Sequence, residues 1–335
     1  MTLPATTTEA QSTAAPQQLP APQQLPAPVA YRSRPWRRFR RSRPAVAGAL
    51  MLALMAIACL VTLPWSLGQA DGQPRYNRQM AGPILVPPGL AASLGTDELG
   101  RSLLPRVLFG GAISLGIGLA AAFIAVTIGV MWGAIAGYVG GRVDGAMMRI
   151  VDVLYGLPYI LLVILIKLAL EGPLAAALQK AGAANAGGAA NVVILFVAIG
   201  SVSWLTMARV VRGQVLSLKA RPFVEAARAT GAGGGRILLR HILPNLVGPV
   251  LVYATLIVPQ AILQESFLSF LGIGIAPPVP TWGSLAAEGV QYLNSIRIYW
   301  WLVLWPCAAL ALTLLSLNFV GDGLRDALDP TSANR

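Results

Sequence analysis

The chain has 335 residues, of which only 11% are charged, and its mean hydropathy is +0.65. A soluble domain carries about 25% charged residues, so this composition excludes an ordinary soluble fold and indicates a protein embedded in lipid. The formal net charge is +12. The basic residues flank apolar segments and form no single stripe, so we predict a lipid bilayer as partner and no nucleic acid.

The N-terminal region is polar and of low complexity. The segment QQLPAP occurs twice, at 17–22 and 23–28, and seven arginines follow between Tyr31 and Pro44. Such a tract cannot bury enough apolar surface to fold, so residues 1–44 are predicted to be a Pro/Gln-rich disordered tail that ends in an Arg-rich stretch. A secretory signal peptide is the alternative. The long polar leader and the nearly full-length apolar run favour an uncleaved membrane anchor at 45–67.

Six charge-poor stretches approach or exceed the roughly 20 residues that a membrane-spanning helix needs. The second, between Arg106 and Arg142, is longer than one straight crossing, so we expect it to tilt or to lie partly along the membrane surface. The third contains Lys167 near its end, where the ammonium group is expected to reach the lipid headgroups. The stretches lie between Arg43 and Asp71, between Arg106 and Arg142, and at about 151–170, 191–208, 246–270 and 299–321.

Small residues recur in the second stretch, among them Ser114, Gly118, Gly133 and Gly137. Small side chains let helix backbones approach closely in lipid, so we expect tight helix packing there. The predicted organisation is an anchor, a periplasmic segment at 68–107, a five-span core at 108–322 and a cytoplasmic tail at 323–335.

The basic residues also predict the orientation. The segments 1–44, 139–150, 209–245 and 322–335 hold 18 of the 25 lysines and arginines. Positive charge is enriched on the cytoplasmic side of membrane proteins, so we place these segments and both termini in the cytoplasm.

The polar segment 219–245 separates the fourth and fifth stretches. Pro222 can open a short helix, and Glu225 falls in its first turn, where a carboxylate complements the helix dipole. Gly231 is suited to the left-handed turn that ends such a helix, and a second helical stretch follows from Arg236. The three glycines at 233–235 lack the Gly-Lys-Ser/Thr of a phosphate-binding loop. Two interpretations remain: a solvated connector, or a docking helix with a smooth face of small residues.

Cysteine and histidine usage indicates no metal or redox site. Cys59 and Cys307 both lie in apolar stretches, which favours packing over a disulfide or a metal pair. His241 is the single histidine, so no cofactor is expected in this chain.

The segment EAARATG at 225–231, followed by the Leu243–Pro244 pair, resembles the EAA loop of the permease subunits of ATP-binding-cassette (ABC) importers. Longer segments resemble the C-type subunit of the dipeptide and oligopeptide permease family. These are LGTDELGRSLLPRVLFGGAISLGIG at 94–118, GYVGGRVDGAMMRIVDVLYGLP at 137–158, VRGQVLSLKARPFVEAARATGA at 211–232, RHILPN at 240–245, ESFLSFLGIGIAPPVPTWG at 265–283 and GDGLRDALDP at 321–330.

The resemblance implies an all-α membrane protein with six transmembrane helices of the type I ABC importer permease fold and a cytoplasmic EAA coupling helix. It implies a bacterial inner membrane and, as partners, a second homologous permease, two ABC ATPases and an extracytoplasmic substrate-binding protein. ATP and Mg would be bound by the ATPases, so this chain is not expected to be an enzyme. The coupling residues implied are Glu225, Ala226, Ala227, Gly231, Leu243 and Pro244.

Two features depart from the family pattern. His241 stands where the general EAA pattern has an isoleucine two residues before Leu-Pro, and Ile242 follows it. The extension before Arg32 and the loop at 181–190 lie outside the resemblance.

Several functions remain open at this point. The expected cargo is a di- or oligopeptide, and nickel chelates, glutathione or other small solutes are alternatives. An ion-coupled transporter would show inverted repeats and broken spans, and a scaffold would not need the EAA loop. Glu265, beside Gln264, is an intramembrane carboxylate: it either lines the pathway and meets a peptide ammonium group, or anchors the end of the fifth stretch.

Overall fold

A computed structural model describes residues 35–90, 92–182, 186–293 and 297–328. Residues 1–34 of the predicted disordered tail and the end of the C-terminal tail lie outside these ranges, and disorder is wrong for the Arg-rich end of the N-terminal tail, which is helical over Pro35–Arg41. The helices are α1 (Pro35–Arg41), α2 (Arg43–Val61), α3 (Leu63–Leu67), α4 (Leu103–Val139), α5 (Gly141–Tyr155), α6 (Tyr159–Lys180), α7 (Ala186–Lys219), α8 (Pro222–Ala229), α9 (Gly234–Ile237), α10 (Leu243–Phe270), α11 (Trp282–Val290) and α12 (Trp301–Leu328). A short hairpin pairs β1 (Gln69–Ala70) with β2 (Gln73–Pro74), and a π-helix spans Leu238–Ile242.

The all-α membrane architecture is confirmed. Within the described ranges, six helical segments are long and apolar enough to cross a bilayer: Arg43–Leu67, Leu103–Val139, Tyr159–Lys180, Ala190–Lys219, Gly234–Phe270 and Trp301–Leu328. The second is one unbroken helix of 37 residues, about 55 Å long, so it exceeds the hydrocarbon thickness by tilting or by extending beyond it. Helix α12 continues to Leu328, into the segment expected to be a tail.

The third predicted stretch, 151–170, is wrong in its bounds. Helix α5 ends at Tyr155, and the spanning helix α6 starts only at Tyr159. The reason is Pro158, which has no N–H to donate and disfavours a helical conformation at Leu157. Helix α5 instead lies at the edge of the bundle, where it packs on α4 and α7.

Helices α4 and α7 pack along a seam of glycines. A Cβ atom added to Gly129 would lie 2.6 Å from Cβ of Met207, and one added to Gly137 would lie 2.9 Å from the Arg212 carbonyl oxygen. Gly133, between them, faces Val211 equally closely. The small residues therefore do permit the close backbone approach that the sequence predicted.

A buried ionic cluster organises the segment before α4. The carboxylate of Asp97 accepts hydrogen bonds from Arg101 Nε and from Arg106 Nη1, each at 2.7 Å. Arg106 also lies 2.9 Å from a carboxylate oxygen of Glu288 on α11. This cluster joins the 68–102 segment to the end of the bundle that carries α11.

Lys167 does not extend to headgroups, so that expectation is wrong. Its ammonium group donates to the carbonyl oxygens of Ile273 and Gly274, both at 2.9 Å. These carbonyls follow the end of α10, where no further helical turn supplies donors, so the lysine fixes the α10–α11 connection to α6.

Candidate coupling loop and intramembrane cavity

Helix α8 forms for local reasons. Arg221, in an extended conformation, precedes Pro222 at the first turn, where the missing proline N–H costs nothing. Glu225 lies in that first turn, as predicted, close to the positive end of the helix dipole. The chain leaves α7 at Lys219, so only two residues separate the two helices.

Gly231 ends α8 in a left-handed conformation, with φ of +81°. The Gly231 N–H donates to the Arg228 carbonyl, and the Ala232 N–H donates to the Ala227 carbonyl. These two bonds form a Schellman motif with Gly231 at the position after the cap. An added Cβ at Gly231 would meet no atom within 4 Å, so crowding does not require a glycine here. The positive φ does require it, because other residues are strained in the left-handed region.

The residues of the EAA motif divide between two faces of α8. Glu225, Ala226 and Gly231 are exposed. Ala227 is only 8% exposed and belongs to the same buried cluster as Ile237 and Ile242. The exposed residues are therefore available to a partner, whereas Ala227 attaches the helix to the bundle.

An open groove of about 660 Å³ runs between α8 and the turn that follows it. Ala226, Gly231 and His241 line it, with Arg236 and Arg240 beside them. His241 thus belongs to this surface through the π-helix, which widens the turn just before α10. Leu243 and Pro244 begin α10, the first half-buried and the second exposed.

The stem of the loop is tied to the bundle by charged contacts. Arg212 makes a bidentate hydrogen bond with Asp144 on α5, and this bond holds the pKa of the Asp144 carboxyl below its ordinary value. Lys219 donates to the carbonyl oxygen of Tyr138, at the end of α4, over 2.6 Å. These contacts fix the end of α7, from which the loop starts, to α4 and α5.

A second concave feature lies inside the bundle. It is a cavity of about 310 Å³ between the α5–α6 break, α7 and α10. Gln264, one of the two predicted pathway residues, lines it together with Gln260, Ser203, Thr206 and Tyr159. No charged residue is among the described residues that line this cavity.

Glu265, the other predicted pathway residue, lies elsewhere. Its side chain is fully buried and accepts a hydrogen bond of 2.6 Å from the Ser269 hydroxyl. Ser114 on α4 and Thr281 before α11 also lie beside the carboxyl group. The structure thus separates the two neighbours: Gln264 faces the cavity, and Glu265 faces the junction of α4, α10 and the α11 connection.

Sequence reasoning missed two features of this region. One is Gln260, one helical turn before Gln264, which shares its face by helical periodicity. The other is the pair of Arg209 with Asp152, 2.8 Å apart, in which the guanidinium also lies 4.1 Å from the ring centroid of Tyr155. The i, i+4 spacing of the two glutamines was a signal that the sequence offered.

Comparison with known proteins identifies the family of the chain. Residues 129–333 match the model of the binding-protein-dependent transport system inner membrane component family. Residues 31–88 match the N-terminal TM domain of oligopeptide transport permease C.

Curated relatives are similar over nearly the whole chain. The chain is 46% identical to the oligopeptide transport system permease protein OppC of Salmonella typhimurium, over 88% of this chain and 89% of that protein. It is 44% identical to the Escherichia coli protein of the same name, with the same coverage. It is 39% identical to the dipeptide transport system permease protein DppC of Bacillus subtilis, over 90% of this chain and 86% of that protein. The chain is therefore a multi-pass membrane protein that belongs to the family of binding-protein-dependent transport system inner membrane components.

Proposed function

We propose that this chain is one permease subunit of an ATP-driven importer of di- and oligopeptides in a bacterial inner membrane. The second half of the pathway comes from a homologous permease, two ABC ATPases bind and hydrolyse ATP with Mg²⁺, and an extracytoplasmic binding protein delivers the peptide. The names of the similar proteins, which are oligopeptide and dipeptide transport permeases, support the peptide cargo. Both termini and the 219–245 loop lie in the cytoplasm, as the distribution of arginines predicts.

The observation that carries the proposal is the placement of α8. It is a short helix with an exposed face, held between the ends of α7 and α10 and attached to the core through Ala227. An ATPase that binds Glu225, Ala226 and Gly231 and then moves would displace both spans together. Leu243 and Pro244 form the start of α10, so they pass this displacement into the membrane.

In this mechanism the chain performs no chemistry. The assembly alternates between two packed states, and ATP bound by the partner subunits favours one of them. The binding protein, loaded with peptide, favours one state from the other side of the membrane.

The experiment compares two glycine substitutions in the same exposed loop, Gly231→Val and Gly233→Val. An added Cβ meets no neighbouring atom at either position, but only Gly231 has a positive φ; that of Gly233 is −65°. Valine is strained in the left-handed region, so Gly231→Val should disrupt the end of α8. We expect Gly231→Val to abolish peptide-stimulated ATP hydrolysis and uptake in proteoliposomes containing the full complex, and Gly233→Val to retain both.

Two outcomes would contradict the proposal. Wild-type uptake by the Gly231→Val complex would remove the coupling role of α8. A wild-type complex that imports nickel chelates or glutathione but no peptide would overturn the cargo.

A further inference from the structure

The cavity between the α5–α6 break, α7 and α10 is more polar at its mouth than a lipid-facing surface. Gln260 and Thr206 are exposed at its mouth, although both lie well inside spanning segments. Polar side chains at this depth are costly in hydrocarbon and normally face protein or a water-filled cavity. The mouth therefore faces another protein surface or a water-filled space and not acyl chains.

The interior of the cavity offers neutral hydrogen-bonding groups. Gln260 and Gln264 each carry a carboxamide, which both donates and accepts, and Ser203 adds a hydroxyl. Oε1 of Gln264 and Oη of Tyr159 have no hydrogen-bond partner among the residues that the structure describes. Such buried acceptors destabilise the protein unless something supplies a donor, so a bound ligand with N–H groups would satisfy them.

The break between α5 and α6 borders the cavity at Leu157. The last bonds of α5 run from the Gly156 N–H to the Asp152 carbonyl and from the Leu157 N–H to the Leu154 carbonyl, and the first α6 bond runs from the Leu162 N–H to the Pro158 carbonyl. Between them, the carbonyls of Gly156 and Leu157 have no backbone partner in the described part of the chain.

The spacing of the two glutamines suits a peptide main chain. They are four residues apart, about 6.0 Å along the axis. In an extended peptide, groups that point the same way recur every second residue, about 6.6 Å apart. Two carboxamides on one face of α10 can therefore reach alternate peptide units of the same extended chain.

We propose that this cavity is a transit site for the main chain of an extended peptide, whose amide groups exchange hydrogen bonds with Gln260 and Gln264. The inference rests on the proposed function and adds the chemical group that is recognised. Because no described lining residue is charged, the site contacts the part of a peptide that every sequence shares, and side-chain charge has little effect on passage. Its volume is at the low end for ligand sites, which suits brief occupancy by a short segment.

The test uses trialanine and an ester analogue in which one peptide N–H is replaced by oxygen. Uptake of both is measured in proteoliposomes that contain the complete transporter, for the wild type and for Gln260→Leu/Gln264→Leu. We expect the ratio of amide uptake to ester uptake to be roughly fivefold higher in the wild type than in the double variant. Any preference of the binding protein itself cancels, because the same binding protein serves both complexes.

Two variants control for folding and for the chemical change. Gln291→Leu makes the same substitution at an exposed position outside the cavity and should keep the wild-type amide-to-ester ratio. Gln260→Asn/Gln264→Asn keeps the carboxamides but shortens them, and its ratio should fall between the two extremes. An unchanged ratio in every glutamine variant overturns the inference while leaving peptide import intact. A wild-type complex that assembles but imports neither compound would show that the proposed function itself is wrong, and the inference would then be wrong as well.

A labelling experiment gives a readout other than transport. With Cys59 and Cys307 replaced by alanine, Gln260→Cys should be protected from a thiol reagent during turnover with trialanine. Leu263→Cys, on the same helix but outside the cavity, should show no protection. Equal labelling of Gln260→Cys with and without peptide would also overturn the inference.

Discussion

Arg212 and Asp144 lie on different helices and share two hydrogen bonds, of 2.5 Å from Nε to Oδ1 and 2.6 Å from Nη2 to Oδ2. The pair fixes α5 against α7 just before the polar loop. The buried residues of α5 are Asp144 and Val151, and the Arg209–Asp152 pair is a second ionic contact between the two helices.

Asp144→Asn is expected to weaken this attachment by about 1 kcal/mol, because Arg212 is partly exposed and water screens the pair. The folded-state pKa of Asp144 is lowered from 3.8 by the hydrogen bond from Arg212. As the pH falls below 3.8, the unfolded state therefore binds more protons than the folded state does, and the stabilisation present at neutral pH is lost. Thermal unfolding in detergent should show a gap between wild type and variant at pH 7 that closes towards pH 3. Asp322→Asn, at an exposed position, should show no gap; a gap that widens at low pH would contradict the assignment.

Asp97→Ala is expected to destabilise the protein much more, by about 3 kcal/mol, because it leaves the buried guanidinium groups of Arg101 and Arg106 with one carboxylate fewer. Glu98→Ala removes a neighbouring exposed carboxylate and should change the unfolding temperature little. The measurement is thermal unfolding of the purified protein. Equal shifts for both variants would mean that the Asp97 cluster does not stabilise the segment before α4.

Lys167→Met should loosen the connection between α10 and α11. The lysine side chain supplies donors to two carbonyls, so its removal is expected to cost about 2 kcal/mol. Hydrogen–deuterium exchange should accelerate in residues 271–281. Lys180→Met, at an exposed position on the same helix, is the matched control and should leave that exchange unchanged. Unaltered exchange in Lys167→Met would indicate that the connection is held by other contacts.

Glu265→Gln separates the two interpretations of the intramembrane carboxyl group. Among the described residues no cation pairs with Glu265, and its environment consists of hydroxyls, so a carboxamide should fit. We expect uptake within about twofold of wild type for peptides of positive, neutral and negative charge, whereas Glu265→Ala should lower the unfolding temperature by leaving Ser269 unpaired. A loss confined to positively charged peptides would instead favour a pathway role.

The sequence predicted most of the spans well because each is a long run of apolar residues, and a run of that length is most stable inside the lipid bilayer. The bounds of the third span were wrong because hydropathy alone does not detect Pro158. This proline fits an apolar stretch, but it interrupts the helix. A helix break at Pro158 could have been predicted from the sequence, but the prediction relied on the apolar composition of the stretch.

Contacts between distant segments could not be predicted. Lys167 looks like a lysine near a helix end, and nothing in its neighbourhood reveals that its acceptors are the carbonyls of Ile273 and Gly274. The motif around Ala227 predicts a helix correctly, but the burial of that alanine depends on Ile237 and Ile242, which pack from the following turn.

The cavity is the extreme case of the same limit. Its wall is assembled from four helices, α5, α6, α7 and α10, so Gln264 alone gave an incomplete description. Adding the periodicity of α10 would have suggested Gln260, but the contribution of Ser203 on α7 depends on the folded arrangement.

The glycine seam determines where this protein can deform. With backbones in direct contact along Gly129, Gly133 and Gly137, the interface between α4 and α7 has no void to compress, and the two helices must travel as a rigid body. Helix α6 has a single buried residue, Val163, and is joined to α5 only through the three residues at 156–158. The Lys167 hydrogen bonds also hold α6 to the connection after α10, so a change of shape has to take place outside the glycine seam.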